Sequence, residues 1–280
     1  MRFNQLRNNS SAKMLAASMS LSTLMVAGCT ADKAPAAQSV AVSPRPSSAA
    51  NLPETPAPSA YPEAAEKLVK PNPIVSLQKL LNNQLVPFGM PKLDTDGKAG
   101  GQTLRALCAE RFFTGNVASR SPATAAELAR ISSSEKLSSP LPGFIISRTC
   151  QVMGVAVGGK LSMIIPVSTG APRGYYADGQ DHTTEAGRFT IGQGIYGLHN
   201  STKYPSQHSA GNMLYSGFFN GDEAVHGSPE MAPNVTSPES HGCVRIHPRY
   251  ARQIWELMGG PAEAANDSYV QLRPIPVAVM

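Results

Sequence analysis

The last cysteine of the chain lies in a run that is typical of a nucleophilic thiol. The run SHGC, residues 240–243, ends in Cys243, and His226 stands seventeen residues upstream at the end of a predicted strand. A thiol attacks as the thiolate, so it needs a nearby base and backbone N–H groups that lower its pKa. His226 is the candidate base. The N–H groups of Gly242 and Cys243 are the candidate oxyanion hole.

Two other interpretations of Cys243 stay open from the residues alone. His226, His241 and Cys243 are also side chains that bind zinc. Three further histidines lie nearby in the sequence: His199, His208 and His247. Alternatively, the thiol is a small buried hydrophobe, although that role does not account for the His-Gly pair upstream.

The two motifs together resemble those of the L,D-transpeptidases of the YkuD type. That family has a His-Gly pair followed by [ST]-H-G-C-x-R, matched here by His226-Gly227 and by residues 240–245. A second family motif, near TPxGxF, is matched by residues 184–189 except for its proline. A third, PVSTG, is matched by residues 166–170. The resemblance covers about residues 143–260.

The resemblance implies roles for the matched residues. Cys243 is expected to be the nucleophile and His226 the base, with the Gly227 carbonyl orienting the imidazole. Four side chains are expected to shape the site and bind substrate: Ser240, His241, Arg245 and Tyr215. The expected substrates are peptidoglycan stem tetrapeptides, and no metal or organic cofactor is implied.

The implied reaction is a 3→3 cross-link made through a thioester on Cys243. Water as acceptor would make the chain an L,D-carboxypeptidase, and another protein as acceptor would make it a wall-attachment enzyme. A non-catalytic peptidoglycan-binding lipoprotein is the alternative from a different class. Tyr204, Tyr215 and His208 are expected either in a lid over the site or in an ordinary surface loop. His182 is expected to be exposed, and Trp255 to lie in the core.

Residues 141–280 are expected to form the catalytic domain, a mainly β sandwich with short helices. Short runs rich in β-branched and aromatic residues predict its strands, and Gly158-Gly159 predicts a hairpin turn. Pro248 is expected to open a helix that Gly259-Gly260 ends.

A small all-α module is expected at residues 71–113. Apolar residues at helical spacing flank the turn-rich loop DTDGKAGGQ, residues 94–102. The stretch resembles a three-helix peptidoglycan-binding domain, and a plain helical spacer is the alternative. Residues 114–140 are expected to be a linker.

The first 28 residues are typical of a lipoprotein signal peptide. Three basic residues precede a short apolar stretch, and VAGC at residues 26–29 resembles a bacterial lipobox, which implies lipidation of Cys29. Residues 29–70 are rich in Ala, Pro and Ser and predict an extended tether. The expected product is an exported, membrane-anchored lipoprotein that faces the periplasm or cell wall.

The charge of the chain does not favour nucleic acid as a partner. Without residues 1–28 there are 21 basic and 19 acidic residues, a formal charge of +2. We expect a monomer. In an oxidising compartment Cys108 and Cys150 are either a disulfide or two small buried hydrophobes, and the sequence leaves both open.

Overall fold

A computed structural model describes residues 72–132, 135–139 and 141–280. The predicted signal peptide, Cys29 and the tether lie outside the described residues. The helices are α1 (Pro73–Leu85), α2 (Gly101–Gly115), α3 (Ala125–Ser132) and α4 (Pro248–Leu257), and a 3-10 turn, Val86–Phe88, follows α1. The strands are β1 (Gly143–Ser147), β2 (Val152–Val157), β3 (Lys160–Ser168), β4 (Gly187–His199), β5 (Met213–Asn220), β6 (Glu223–Gly227), β7 (Val244–Ile246) and β8 (Tyr269–Val279). Within these ranges no helix combines the length and apolar character needed to cross a bilayer.

The eight strands form one closed sheet. Their order is β1-β2-β3-β7-β6-β5-β4-β8. The last strand closes it, because β8 pairs in parallel with β1 and antiparallel with β4. The predicted mainly β domain with short helices is confirmed, but the expected two-sheet sandwich is replaced by this closed arrangement.

Local sequence accounts for the predicted hairpin and for the last helix. Gly158 and Gly159 have φ of +56° and +79°, and this two-residue turn pairs Val157 with Lys160. As predicted, α4 begins at Pro248.

The two faces of β1–β3 belong to two different hydrophobic clusters. Phe144 and Ile146 point to one face, where they join the cluster that contains α4 and the fully buried Trp255. Ile145, between them, points to the opposite face and packs with Leu77 and other side chains of α1 and α2. The prediction of Trp255 as a core residue is confirmed.

The helical segment is joined covalently to the sheet. Cys108 on α2 forms a disulfide with Cys150, in the β1–β2 turn, across 42 residues of chain. This settles the alternative that the sequence left open. The segment expected to be a linker contains α3, whose Ile131 is buried in the cluster shared by the helices and β1–β3.

Candidate active site

The candidate nucleophile and base come from neighbouring strands. Strands β6 and β7 are parallel, with Val225 opposite Val244 and His226 opposite Arg245. The two valines face the hydrophobic core. Cys243 precedes β7, so the alternation of side chains puts it on the face of His226, with the two Cα atoms roughly 8 Å apart on the diagonal.

The carbonyl of the next residue, Gly227, orients the imidazole of His226. The ring is 3% exposed, and Nδ1 lies 2.9 Å from the carbonyl oxygen of Gly227. A carbonyl only accepts, so Nδ1 carries the proton and Nε2 keeps the free lone pair. Burial lowers the pKa of His226 to about 3, although the Gly227 carbonyl opposes the shift. Gly227 has no room for a side chain, since a Cβ would lie 2.6 Å from the Cβ of Ala251 on α4.

The thiol of Cys243 is half-buried and protonated at neutral pH. Burial raises its pKa to about 11, and a hydrogen bond from the Ala224 N–H together with the charge of Arg245 offsets part of that shift. The thiol donates to the carbonyl oxygen of Asp222, at 3.5 Å. With His226 neutral as well, the resting pair is a thiol and an imidazole rather than an ion pair.

The turn that presents the thiol is held by two hydroxyl groups. Ser240 Oγ accepts from the Gly242 N–H at 3.0 Å and donates to the Cys243 carbonyl. Thr184 Oγ1 donates to the Gly242 carbonyl at 2.6 Å and accepts from the Gly170 N–H at 2.8 Å. Gly242 has φ of +122°, a region that favours glycine. Its N–H was one of the two expected oxyanion donors, but in this conformation Ser240 Oγ occupies it.

His241 lies between two tyrosine rings. Its ring stacks on Tyr176 with centroids 3.8 Å apart and on Tyr204 with centroids 4.0 Å apart. His182 meets the stack edge-on, and its Nε2 lies 2.8 Å from Asp178 Oδ2. Burial, followed by repulsion from His182, lowers the pKa of His241. The stack therefore connects the β3–β4 loop, which carries Tyr176, and the β4–β5 loop, which carries Tyr204, to the turn at residues 240–243.

These side chains line a cleft of about 1070 Å³. The lining side chains predicted from the sequence are Ser240, His241, Cys243, Arg245 and His226. The lining also carries charges of both signs, namely Arg148, Lys203, Arg245, Asp181, Glu185, Asp222, Glu223 and Asp267. A peptide with both carboxylate and ammonium groups fits such a lining.

Two predicted positions are corrected by the structure, and the alternatives left open for Tyr204 and His208 are decided. Tyr215 does not line the cleft: its ring packs on Tyr196 and Trp255, because an irregularity in the β4–β5–β6 pairing gives it φ of +54°. His182, expected to be exposed, is buried beneath the stack. His208 is exposed and lies outside the lining, whereas Tyr204 lines it.

Several residues in and around the cleft were not predicted from the sequence. Tyr176 was not singled out, and Thr184 was noted only as part of a motif. His199 was considered only as a zinc ligand. It is buried, and its Nε2 lies 3.3 Å from Ser216 Oγ. Within 72–132, 135–139 and 141–280, no group of three His, Cys, Asp or Glu side chains is arranged to hold a metal ion.

Solved structures similar to this chain include several L,D-transpeptidases. The enzyme from Xylanimonas cellulosilytica is 24% identical, with 81% of this chain and 100% of that chain covered and a TM-score of 0.44. One from Stackebrandtia nassauensis is 19% identical, with 74% and 89% covered and a TM-score of 0.40. One from Mycobacterium smegmatis is 17% identical, with 49% and 57% covered and a TM-score of 0.36. The comparison with curated proteins gives no match.

The class of the site is that of a thiol with a neighbouring, backbone-oriented histidine in a peptide-sized cleft. The family model of the L,D-transpeptidase catalytic domain, YkuD, matches residues 143–265. Residues 143–265 are thus an L,D-transpeptidase catalytic domain, and the resemblance found in the motifs is confirmed for this part of the chain.

Proposed function

We propose that the chain is a cysteine-dependent L,D-transpeptidase that forms 3→3 cross-links between peptidoglycan stem tetrapeptides. The observation that carries the proposal is the pairing of β6 with β7. It puts Cys243 and His226 on one face, while the Gly227 carbonyl fixes the tautomer that leaves Nε2 free to accept a proton.

The chemistry follows from the neutral state of the pair. Nε2 of His226 takes the Sγ proton as Sγ attacks the carbonyl carbon of the third stem residue. The C–N bond to the terminal D-alanine then breaks, and the departing amine takes the proton from His226. In the second half, the acceptor ammonium first gives one proton to solvent. The resulting amine attacks the thioester carbonyl carbon and loses a second proton to His226. The C–S bond then breaks, and the departing Cys243 sulfur takes that proton from His226, so the thiol and the imidazole are regenerated.

The charged lining of the cleft supports a zwitterionic peptide substrate. Arg245 lies on the face of His226 and donates one N–H to the Glu239 carbonyl, 3.0 Å away. Its guanidinium suits a substrate carboxylate. Asp222 and Glu223 also line the cleft, and Cys243 Sγ lies 3.5 Å from the Asp222 carbonyl, so these carboxylates would attract an acceptor that arrives as ammonium. His241 is held between Tyr176 and Tyr204 and would form one wall of the cleft.

The deciding experiment is mass spectrometry of the products formed from purified disaccharide-tetrapeptide by wild type and by Cys243→Ala. A dimer lighter than two monomers by one molecule of alanine, made by the wild type alone, supports the proposal. A monomer lacking D-alanine would make the chain an L,D-carboxypeptidase with the same nucleophile. Unchanged substrate with both folded proteins would favour protein-to-wall attachment or a non-catalytic peptidoglycan-binding lipoprotein.

The location of the enzyme is a second part of the proposal. Action on the cell wall requires export, and the lipobox-like VAGC sequence supports lipid attachment at Cys29 with residues 29–70 as the tether. Membrane fractionation of wild type and Cys29→Ala tests this, because only the wild type should sediment with membranes. Residues 71–113 are proposed to hold peptidoglycan near a monomeric catalytic domain, which pull-down on purified peptidoglycan would measure.

A further inference from the structure

One arginine of the helical segment is buried without an acidic partner among the residues that the structure describes. Arg105, on α2, is 1% exposed, and its Nη1 donates to the carbonyl of Val235. Its Nε has no hydrogen-bond partner among the described residues. A guanidinium stays charged in proteins, so its burial is costly unless an anion or several acceptors surround it.

The other arginines near α2 show what is missing at Arg105. Arg111, on the same helix, donates to both carboxylate oxygens of Glu127, at 2.6 and 2.8 Å. Arg130 on α3 makes the same kind of bidentate contact with the fully buried Glu110. The helical segment thus pairs these guanidinium groups with carboxylates, and Arg105 is an exception.

A second guanidinium with free donors, that of Arg120, lies within electrostatic range of Arg105. Nε and Nη2 of Arg120 are buried and have no partner in the described part of the chain. These two atoms form the edge that binds a carboxylate or a phosphate side-on. The backbone on both sides of Arg120 is fixed against α2, because Arg111 donates to the carbonyls of Ser119 and Ser121. Burial first, and then repulsion from Arg120, lower the pKa of Arg105 to about 10.

Two like charges that share three buried guanidinium nitrogens without partners are unfavourable by themselves. Each unpaired donor costs roughly 1–3 kcal/mol, and the mutual repulsion adds to that cost. An oxyanion removes both costs, since it neutralises the charge and accepts the free donors. We propose that Arg105 and Arg120 bind a small oxyanion of carboxylate or phosphate type.

The site is separate from the cleft but touches the segment that leads into it. Neither Arg105 nor Arg120 lines the cleft. Arg120 is half-buried, so solvent reaches one side of the site. Val235, held by Arg105, belongs to the β6–β7 connection, which continues into the turn at 240–243. The bound anion would therefore lie between α2 and this connection.

The test is thermal unfolding of the full-length protein at constant ionic strength, with chloride replaced stepwise by phosphate or by acetate. A site binding only the folded protein raises the Tm saturably, and at 100 times Kd the folded-to-unfolded ratio rises about 100-fold. We expect this rise in the wild type and in Arg173→Met, which removes an exposed arginine. We expect it to be lost in Arg105→Met and in Arg120→Met.

The two anions identify the ligand chemistry. A saturable rise with phosphate alone assigns a phosphate-type ligand, with acetate alone a carboxylate, and with both a general oxyanion site. An equal rise in all four proteins would be an unspecific salt effect and would overturn the proposal, as would no rise in the wild type. If Arg105→Met does not fold, the half-buried Arg120→Met decides by itself, and no outcome depends on transpeptidase activity.

Discussion

The protonation state of Cys243 can be measured directly. A thiol pKa of about 11 leaves about one molecule in 10,000 as thiolate at pH 7. An ordinary thiol, with a pKa of about 8.5, is about 3% thiolate at that pH. The thiolate fraction of Cys243 is therefore smaller by about 300-fold, and the difference comes from burial.

The smaller thiolate fraction of Cys243 can be measured through the rate of thiol–disulfide exchange. A thiolate of higher pKa is intrinsically more nucleophilic, which offsets the deficit by about 10-fold, so Cys243 should react about 30-fold more slowly than free cysteine at pH 7. The rate should also rise tenfold per pH unit from about pH 7 to about pH 10 without a plateau, because the thiol titrates only near pH 11. The assay is exchange with an aromatic disulfide, followed by absorbance in a Cys29→Ser background.

A matched variant separates the two possible resting states. In His226→Gln the exchange profile should stay the same, because a neutral imidazole does not stabilise the thiolate, whereas acyl transfer should be lost. A wild-type plateau with a midpoint below about pH 8 that disappears in His226→Gln would refute the reasoning. It would show a preformed thiolate–imidazolium pair instead.

Three further changes test other parts of the structure. Replacing Cys108 and Cys150 by alanine removes a closure over 42 residues. The free energy of unfolding in urea should fall by about 4 kcal/mol from loop entropy. Gly242→Ala should cost roughly 1–3 kcal/mol of stability in the same assay, because alanine disfavours its φ, and should abolish most acyl transfer. Tyr176→Leu should raise KM about 2- to 12-fold with little change in kcat, since it removes one stacking contact of His241, worth roughly 0.5–1.5 kcal/mol.

Each of these changes has its own control. A reductant should destabilise the wild type but not the double alanine variant. Gly158→Ala introduces a smaller backbone penalty of the same kind, at a hairpin with open space around it, so it should lower stability and leave acyl transfer intact. Tyr175→Leu removes a ring that is 51% exposed and meets Tyr176 edge-on, whereas the rings stacked on His241 are those of Tyr176 and Tyr204. An equal rise in KM there would contradict the proposed role of the stack.

The parts of the site that could be predicted are those encoded by local sequence. The Gly158-Gly159 turn, the start of α4 at Pro248 and the cysteine turn all depend on a few adjacent residues. His226 could be paired with Cys243 because the two short motifs occur in a fixed order. That β6 and β7 are parallel neighbours was needed to put these side chains on one face, and only the structure shows this pairing.

The parts that could not be predicted depend on contacts between distant segments or on irregular pairing. The stack of Tyr176, His241 and Tyr204 joins three loops, and no spacing in the sequence relates them. Tyr215 was misplaced because strand alternation fails at the irregular pairing of β5. The closed sheet was missed because closure depends on β8, whose two partners, β1 and β4, lie far away in the chain.

The helical segment supports the turn that carries Cys243. Strands β6 and β7 are parallel, so they cannot be joined by a tight turn. The connection must instead run from the last residue of β6 back to the opposite end of the sheet, where β7 begins. Helix α2 supports this crossing at two points: Arg105 donates to the Val235 carbonyl, and Gly101 lies so near Thr236 that a Cβ would be 2.8 Å from its Oγ1. The position of the turn carrying Cys243 thus depends on helices that precede the catalytic domain in sequence. Residues 101–105 of α2 are thus part of the framework that positions the turn carrying Cys243.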